Sequence, residues 1–169
     1  MTDGNVENLY VEYDDGYGAS FTYQGGIIDN LYISTTNGNG DCKKVTPVIG
    51  MAYVGGQTNE ETTTPVAKID ETGYATLANA VAMADGKTVT LLKNVTEKVV
   101  IPAGKTVTLD LNGNKIQAPT DGKYDAIDNG GTLTIKDSKK TGEIVSTRNI
   151  GIGVYANSNT TIDYAKVTG

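Results

Sequence analysis

Gly86-Lys87-Thr88-Val89-Thr90-Leu91 is written a second time as Gly104-Lys105-Thr106-Val107-Thr108-Leu109 and returns in altered form as Gly130-Gly131-Thr132-Leu133-Thr134-Ile135. Thr161-Ile162-Asp163-Tyr164 is a looser fourth copy. Each of the first three opens on a glycine-marked turn and continues with polar and apolar residues in alternation, rich in Thr, Val, Leu and Ile. That is the pattern of a short, half-buried strand. The copies begin about 18, 26 and 29 residues apart, within the span of one solenoid coil. A single coil cannot bury its own apolar face, so the copies are expected to stack on one another. The turns Leu111-Asn112-Gly113-Asn114 and Asp128-Asn129-Gly130-Gly131 also suit a meander of hairpins. Parallel stacking is favoured, because antiparallel neighbours have no reason to repeat a directional motif in order.

Working outward from the repeat, strands are expected at 88–92, 98–101, 106–111, 115–117, 132–136, 143–146, 152–155 and 161–167. A helix is expected over 72–85, where Tyr74, Leu77, Ala78, Val81 and Ala84 recur at helical spacing, Thr72 serves as N-cap and Gly86 ends the pattern. Residues 1–64 read differently. Strands at 9–13 and 20–23 flank the turn Asp14-Asp15-Gly16-Tyr17-Gly18, and further strands are expected at 27–33 and 48–54. Residues 36–41 form a polar loop and 55–64 a polar linker. The chain therefore divides into a small β-rich unit, 1–64, and a repeat unit, 65–169.

The run Tyr74-Ala75-Thr76-Leu77-Ala78-Asn79-Ala80-Val81 followed by 86–95, the stretch 101–113 and Gly131-Thr132-Leu133-Thr134-Ile135-Lys136-Asp137 together resemble one module. It is similar to the opening of right-handed parallel β-helices of the pectate-lyase-like superfamily, as found in surface proteins of gut Firmicutes and their phages. The resemblance covers about 66–169 and does not reach residues 1–64. It implies a mostly β chain: a short right-handed parallel β-helix with an N-terminal capping α-helix over its first coil, preceded by a small β unit. That fold serves lyases, adhesins and phage fibres alike, so it implies little about activity.

Charge is uneven along the chain. Residues 1–64 carry nine acidic and two basic side chains, and 65–169 carry eleven acidic and twelve basic, giving the overall −6. No part has the basic surface that neutralises phosphates, so no nucleic-acid partner is expected. With one Phe and no Trp, the core falls to Val, Ile and Leu. The acidic start and the absence of a long apolar run point away from a signal peptide and from a membrane partner. The chain is accordingly expected to be made in the cytoplasm without a cleaved leader.

The absence of histidine removes Ser-His-Asp and Cys-His nucleophile systems and His-ligated metals, and a single cysteine removes a thiolate zinc site. Cys42 is either an inert buried thiol or a cross-link between chains. Ala103-Gly104-Lys105-Thr106 departs from a phosphate loop, because Val99 stands where the earlier glycine is required and a strand follows. Glycoside hydrolysis needs two carboxyl groups about 5–10 Å apart, which makes Asp110, Asp128, Asp137 and Asp163 the residues to inspect. Asp110 and Asp137 share one phase of the repeat beside turns, where side-chain bonds to turn backbone explain them equally well. From the resemblance, lyase chemistry would need calcium-binding acids and a basic proton acceptor, yet Arg148 is the only arginine and no acidic cluster accompanies it. Asp14, Asp15 and Asp29 match no EF-hand spacing, and Asn94-Val95-Thr96 and Asn159-Thr160-Thr161 are formal glycosylation sequons. No catalytic residue, cofactor or metal is assigned. Tyr10, Tyr13, Tyr17 and Tyr23 are candidate interface residues, since Tyr10 and Tyr13 have opposite strand parity and cannot both face one small core.

These readings lead to a non-catalytic virion protein, a phage capsid decoration or head-fibre protein. Its residues 1–64 would attach to the major capsid protein and its β-helix would project, as a homo-oligomer with a trimer as one form. A bacterial cell-surface adhesin module binding glycans is the alternative, with a host-surface glycan as ligand in either case, and a polysaccharide-active enzyme is the third reading.

Overall fold

The computed structural model describes residues 5–14, 17–34, 42–55, 64–120, 125–146, 151–154 and 157–168. The chain divides into two compact units, Met1–Thr64 and Pro65–Gly169.

The first unit contains β1 (Asn5–Val11), β2 (Tyr13–Asp14), β3 (Tyr17–Gly18), β4 (Ser20–Thr22), β5 (Ile27–Ser34), β6 (Cys42–Val45), β7 (Val48–Ile49) and β8 (Ala52–Val54). Strand β5 pairs in parallel with β1 and antiparallel with β6. Leu9 and Val11 of β1 thereby align with Leu31 and Ile33, and this alternation points one face of the sheet into a core of Val11, Tyr23, Leu31, Ile33 and Tyr53. The expected hairpin of 9–13 with 20–23 is not formed. Tyr13-Asp14 and Tyr17-Gly18 close on each other, extended by the Ala19 N–H on the Glu12 carbonyl, whereas Phe21 of β4 aligns with Tyr53 of β8. The expected strand over 48–54 is two strands, because Gly50 takes φ 83° and Met51 N–H closes a turn on the Val48 carbonyl. Both exchanges satisfy the same rule: apolar parity chooses the partner that completes a core, and adjacency in sequence yields to it.

Residues 65–169 wind as a β-solenoid of about five turns. A hairpin, β9 (Ala67–Ile69) with β10 (Thr72–Tyr74), precedes a short helix, α1 (Leu77–Ala82). Then come β11 (Lys87–Leu91), β12 (Val95–Thr96), β13 (Val99–Ile101), β14 (Thr106–Asp110), β15 (Lys115–Gln117) and β16 (Ile127–Asn129). The remaining strands are β17 (Thr132–Lys136), β18 (Glu143–Val145), β19 (Ile152–Val154), β20 (Asn159–Ile162) and β21 (Lys166–Thr168). They form three parallel stacks: β11-β14-β17-β20, β12-β15-β18-β21 and β13-β16-β19. The parallel order excludes the hairpin meander.

Stacking explains the repeat physically. Val89, Leu109 and Ile135 occupy one column across three coils and are fully buried, as are Ile116 above Ile144 and Val99 above Ile127. Burying one such side chain contributes about 1.5–3 kcal/mol, so these columns are the main attraction between coils. The two identical copies are not in motif register, however. Val89 lies against Leu109, where the sequence match would place Val107. The slip is by two residues, which keeps every apolar side chain on the inner face.

The helix expected over 72–85 is confined to Leu77–Ala82, with Thr76 as its N-cap in place of Thr72. Thr72 to Tyr74 belong to a strand because Asp70, at φ 53°, turns the chain back and aligns Thr72 with Ile69. It is this hairpin that borders the first stack, with β9 lying antiparallel to β11. The helix buries Leu77, Ala80 and Val81 and packs on β9, β10, β11 and β13. Two further strands, Val95–Thr96 and Ile127–Asn129, depart from the expected pattern, and the run expected at 161–167 is two strands separated by a corner.

Candidate functional site

Of the four aspartates singled out by the sequence, Asp110, Asp137 and Asp163 sit at the corner between the first and second stacks, and Asp128 lies on the third. Asp110 follows the last stacked apolar residue of β14 and is buried. Its Oδ1 accepts hydrogen bonds from the N–H groups of Asn112 (2.9 Å) and Ser138 (3.0 Å), and its Oδ2 faces Lys136 Nζ at 3.8 Å. Asp137 is its counterpart one coil later. Oδ1 accepts from Gly113 N–H at 2.7 Å and Lys139 N–H at 3.3 Å, and Oδ2 accepts from Gly142 N–H. Burial pushes the Asp137 pKa up, but the N–H groups of Gly142, Gly113, Lys139 and Lys140 outweigh it and hold the carboxyl below its ordinary value. Each of these carboxylates ties its own turn to the adjacent coil. Gly113 supplies the close approach: it takes φ +80°, and a side chain there would meet Thr141 Oγ1 at 2.8 Å.

Asp128 forms an ion pair with Lys98 on the third stack. Beside it, Asn129 is wholly buried, accepts from Gly131 N–H (3.0 Å), and donates to the Asn159 carbonyl and Thr160 Oγ1, both at 2.8 Å. The sequence Asp128-Asn129-Gly130-Gly131 suggested a turn, and instead its first two residues continue a strand whose polar side chains are satisfied across coils. Asn112 and Asn114 likewise both donate to the Leu91 carbonyl, at 3.0 and 3.1 Å. Asn94, the first residue of one sequon, accepts from Lys115 N–H at 2.8 Å. Three of the four inspected aspartates are therefore engaged with backbone N–H groups or with lysine. Asp163 is exposed and, among the described residues, its carboxylate has no partner.

One carboxylate was not singled out by the sequence. Glu97, in the first coil, accepts the N–H groups of Leu77 (3.1 Å) and Ala78 (3.2 Å) and so completes the N-terminus of α1 together with Thr76. At the other end of the helix Lys105 Nζ donates to the Ala82 carbonyl at 2.6 Å. The lysine of the second Gly-Lys-Thr copy thus anchors the helix C-terminus. No local signal in the sequence marks either contact, since each spans some twenty residues.

In the first unit Tyr10 is half exposed and stacks on Tyr32, with ring centroids 4.8 Å apart and planes at 11°. Tyr23 is a core residue whose hydroxyl donates to the Gly26 carbonyl at 2.8 Å. The side chains of Tyr13, Tyr17 and Asp14 lie outside the described residues, as do Asp15 and Arg148. Asp29 is exposed and accepts from Asn5 Nδ2 at 2.9 Å. Cys42 is half-buried in β6 opposite Ser34. Among the described residues no group of three or more His, Cys, Asp or Glu is placed to hold a metal ion, and no helix is long and apolar enough to cross a membrane.

An open concavity of the repeat unit lies on the aspartate corner. The connection 137–142 spans six residues, whereas 163–165 in the next coil spans three. Residues of both line an open cavity of about 450 Å³, formed by Lys140, Thr141, Gly142, Ile162, Asp163, Tyr164, Ala165 and Lys166. A second hollow of about 330 Å³ shares Lys140, Asp163 and Tyr164 and extends to Lys136, Asp137 and Ser138. Lys140 Nζ stands 5.7 Å from the centre of the half-exposed Tyr164 ring. Lys166 pairs with Glu143 at 2.9 Å, and this ammonium holds the Glu143 carboxyl below its ordinary pKa. No family model matches this chain, and no curated protein or solved structure matches it.

Proposed function

We propose that this chain is a non-catalytic structural and interaction protein of a virion, a capsid decoration or head-fibre protein. In this reading residues 1–64 attach to the shell, with the major capsid protein as partner, and residues 65–169 are the projecting part. Its solenoid is a right-handed β-helix of the pectate-lyase-like kind, α1 and the β9–β10 hairpin cover its first coil, and the assembled form is a homo-oligomer on the virion surface.

The observation that carries the proposal is what the repeat does with its acids. Asp110, Asp128 and Asp137 are bound to turn N–H groups or to lysine, so they stiffen the stack and are not poised as an acid and base pair. A carboxyl held below its ordinary pKa, as Asp137 is, is a poor general acid at neutral pH. The division into two compact units supports a separation of attachment from projection, and the exposed Tyr10 is of the residue type that interface cores favour.

The test is deletion of residues 1–64 in the source phage. Particles should then lack the protein while the 65–169 unit accumulates free in the lysate; unchanged incorporation would refute the assigned roles. An adhesin module of a cell envelope instead predicts fractionation with bacterial cells in the absence of any phage.

A further inference from the structure

We propose that the hollow lined by the 137–142 and 163–165 connections is a binding site for a neutral saccharide unit. The inference deepens the reading of 65–169 as a non-catalytic projecting unit by naming a ligand class for it. The cavity, at about 450 Å³, falls in the range of small-molecule sites. Tyr164, 48% exposed, lines it, an aromatic ring against which the C–H face of a pyranose packs while hydroxyl groups reach polar neighbours. Its wall is held in place before any ligand arrives, because Asp137 binds the loop's own N–H groups at Lys139 and Gly142 and that of Gly113 on the previous coil.

Charge decides the ligand class. Lys166 is paired with Glu143, Lys136 faces Asp110, and the Asp137 oxygens are filled by backbone N–H groups. Lys140 and Asp163 remain, and among the described residues neither has an ionic partner. The ammonium stands over the Tyr164 ring, 5.7 Å from its centre, and the carboxylate lines the same cavity. The ammonium only donates and the carboxylate only accepts. A pair of sugar hydroxyls, which both donate and accept, uses the two together through charge-assisted bonds. A uronate or a sugar phosphate would gain from Lys140 and lose to Asp163, and a cationic ligand the reverse. The geometry therefore favours a neutral, hydroxyl-rich ring.

The experiment is a titration of the ¹⁵N-labelled full chain with methyl glycosides of glucose, galactose, mannose and N-acetylglucosamine as neutral probes, and with galacturonate and glucose 6-phosphate as anionic ones. At least one neutral probe should shift the amides of Lys140, Thr141 and Tyr164 with a Kd of about 1–10 mM, typical of a weak single-site contact. Tyr164→Ala and Asp163→Asn should each weaken that probe by roughly tenfold, Tyr164→Phe should retain it, and Tyr10→Ala should leave it unchanged. Spectra of the variants outside the loop should match the parent, which separates loss of the site from loss of the fold. The proposal is overturned if no neutral probe moves these amides at about 50 mM, if Tyr164→Ala leaves binding intact, or if an anionic probe binds more tightly than every neutral one. Release of methanol from a bound probe would leave the site standing and refute the non-catalytic reading, so the two fail separately.

Discussion

Asp137→Asn is the sharpest test of the claim that the repeat's acids are structural. The carboxylate accepts hydrogen bonds from the N–H groups of Gly113, Lys139 and Gly142, and the Lys140 N–H further favours its charged form. Gly142 is buried, whereas Lys139 is exposed and Gly113 is partly so, so water replaces the bond to Lys139 readily and the bond to Gly142 hardly at all. Asparagine keeps one acceptor oxygen and turns an N–H₂ group toward a donor, leaving either Gly142 or Gly113 unsatisfied. One buried orphan donor costs about 1–3 kcal/mol, which puts Asp137→Asn near 2 kcal/mol and Asp137→Ala, which also loosens the Gly113 contact, near 3 kcal/mol. Urea unfolding gives the free energy, and peptide-resolved amide exchange over 106–146 assigns it to the repeat unit.

The pH dependence has a definite sign. The folded pKa of Asp137 lies below its ordinary value, so its contribution is fully present above the unfolded aspartate pKa of about 3.9. It is lost as pH falls through the lower folded value. The parent should lose stability in that acid window, and Asp137→Asn should lose less of it. Asp163→Asn, at an exposed site, should change stability by less than about 0.5 kcal/mol. A stable Asp137→Asn protein with the parent's acid profile would refute the structural role.

Four further substitutions probe the stack and its helix. A side chain at Gly131 would run into the Lys105 carbonyl and stand 2.6 Å from that of Pro102, so Gly131→Ala should cost about 3 kcal/mol in urea unfolding. Gly104→Ala, at φ +80° in open space, should cost only about 1 kcal/mol. Leu109→Ala, between Val89 and Ile135 in the buried column, should cost about 3 kcal/mol and speed amide exchange in both neighbouring coils; an effect confined to its own strand would contradict the register. Glu97→Ala removes the partner of the Leu77 and Ala78 N–H groups and should raise exchange across Leu77–Ala82 with a loss of about 1–2 kcal/mol.

What was legible in the sequence was whatever repeats locally. Alternation of Thr with Val, Leu and Ile marked β11, β14 and β17, and their order in sequence implied parallel stacking, because each strand carries its own signal. The phase of Asp110 and Asp137 beside turns also foretold their bonds to turn backbone. What was missed depends on partners far along the chain. Asp128-Asn129-Gly130-Gly131 resembles a turn because the acid is satisfied by Lys98 and the amide N–H₂ by residues of the following coil. The helix was overdrawn because apolar spacing continues through Tyr74, while the hairpin at Asp70 claims Thr72 to Tyr74 for a strand. In the first unit, turn residues at 14–18 promised a long hairpin, and the core instead matched β1 with β5 and β4 with β8. The concavity at Tyr164 is lined by connections of two neighbouring coils, which come together only once the coils are aligned.

The central functional claim is the proposal that this chain belongs to a particle, and it is tested most directly by peptide mass spectrometry of phage particles purified from a culture that carries its gene. The account predicts peptides from both 1–64 and 65–169, in many copies per particle and co-sedimenting with the major capsid protein. Their absence from particles, with recovery in the bacterial envelope instead, would contradict it.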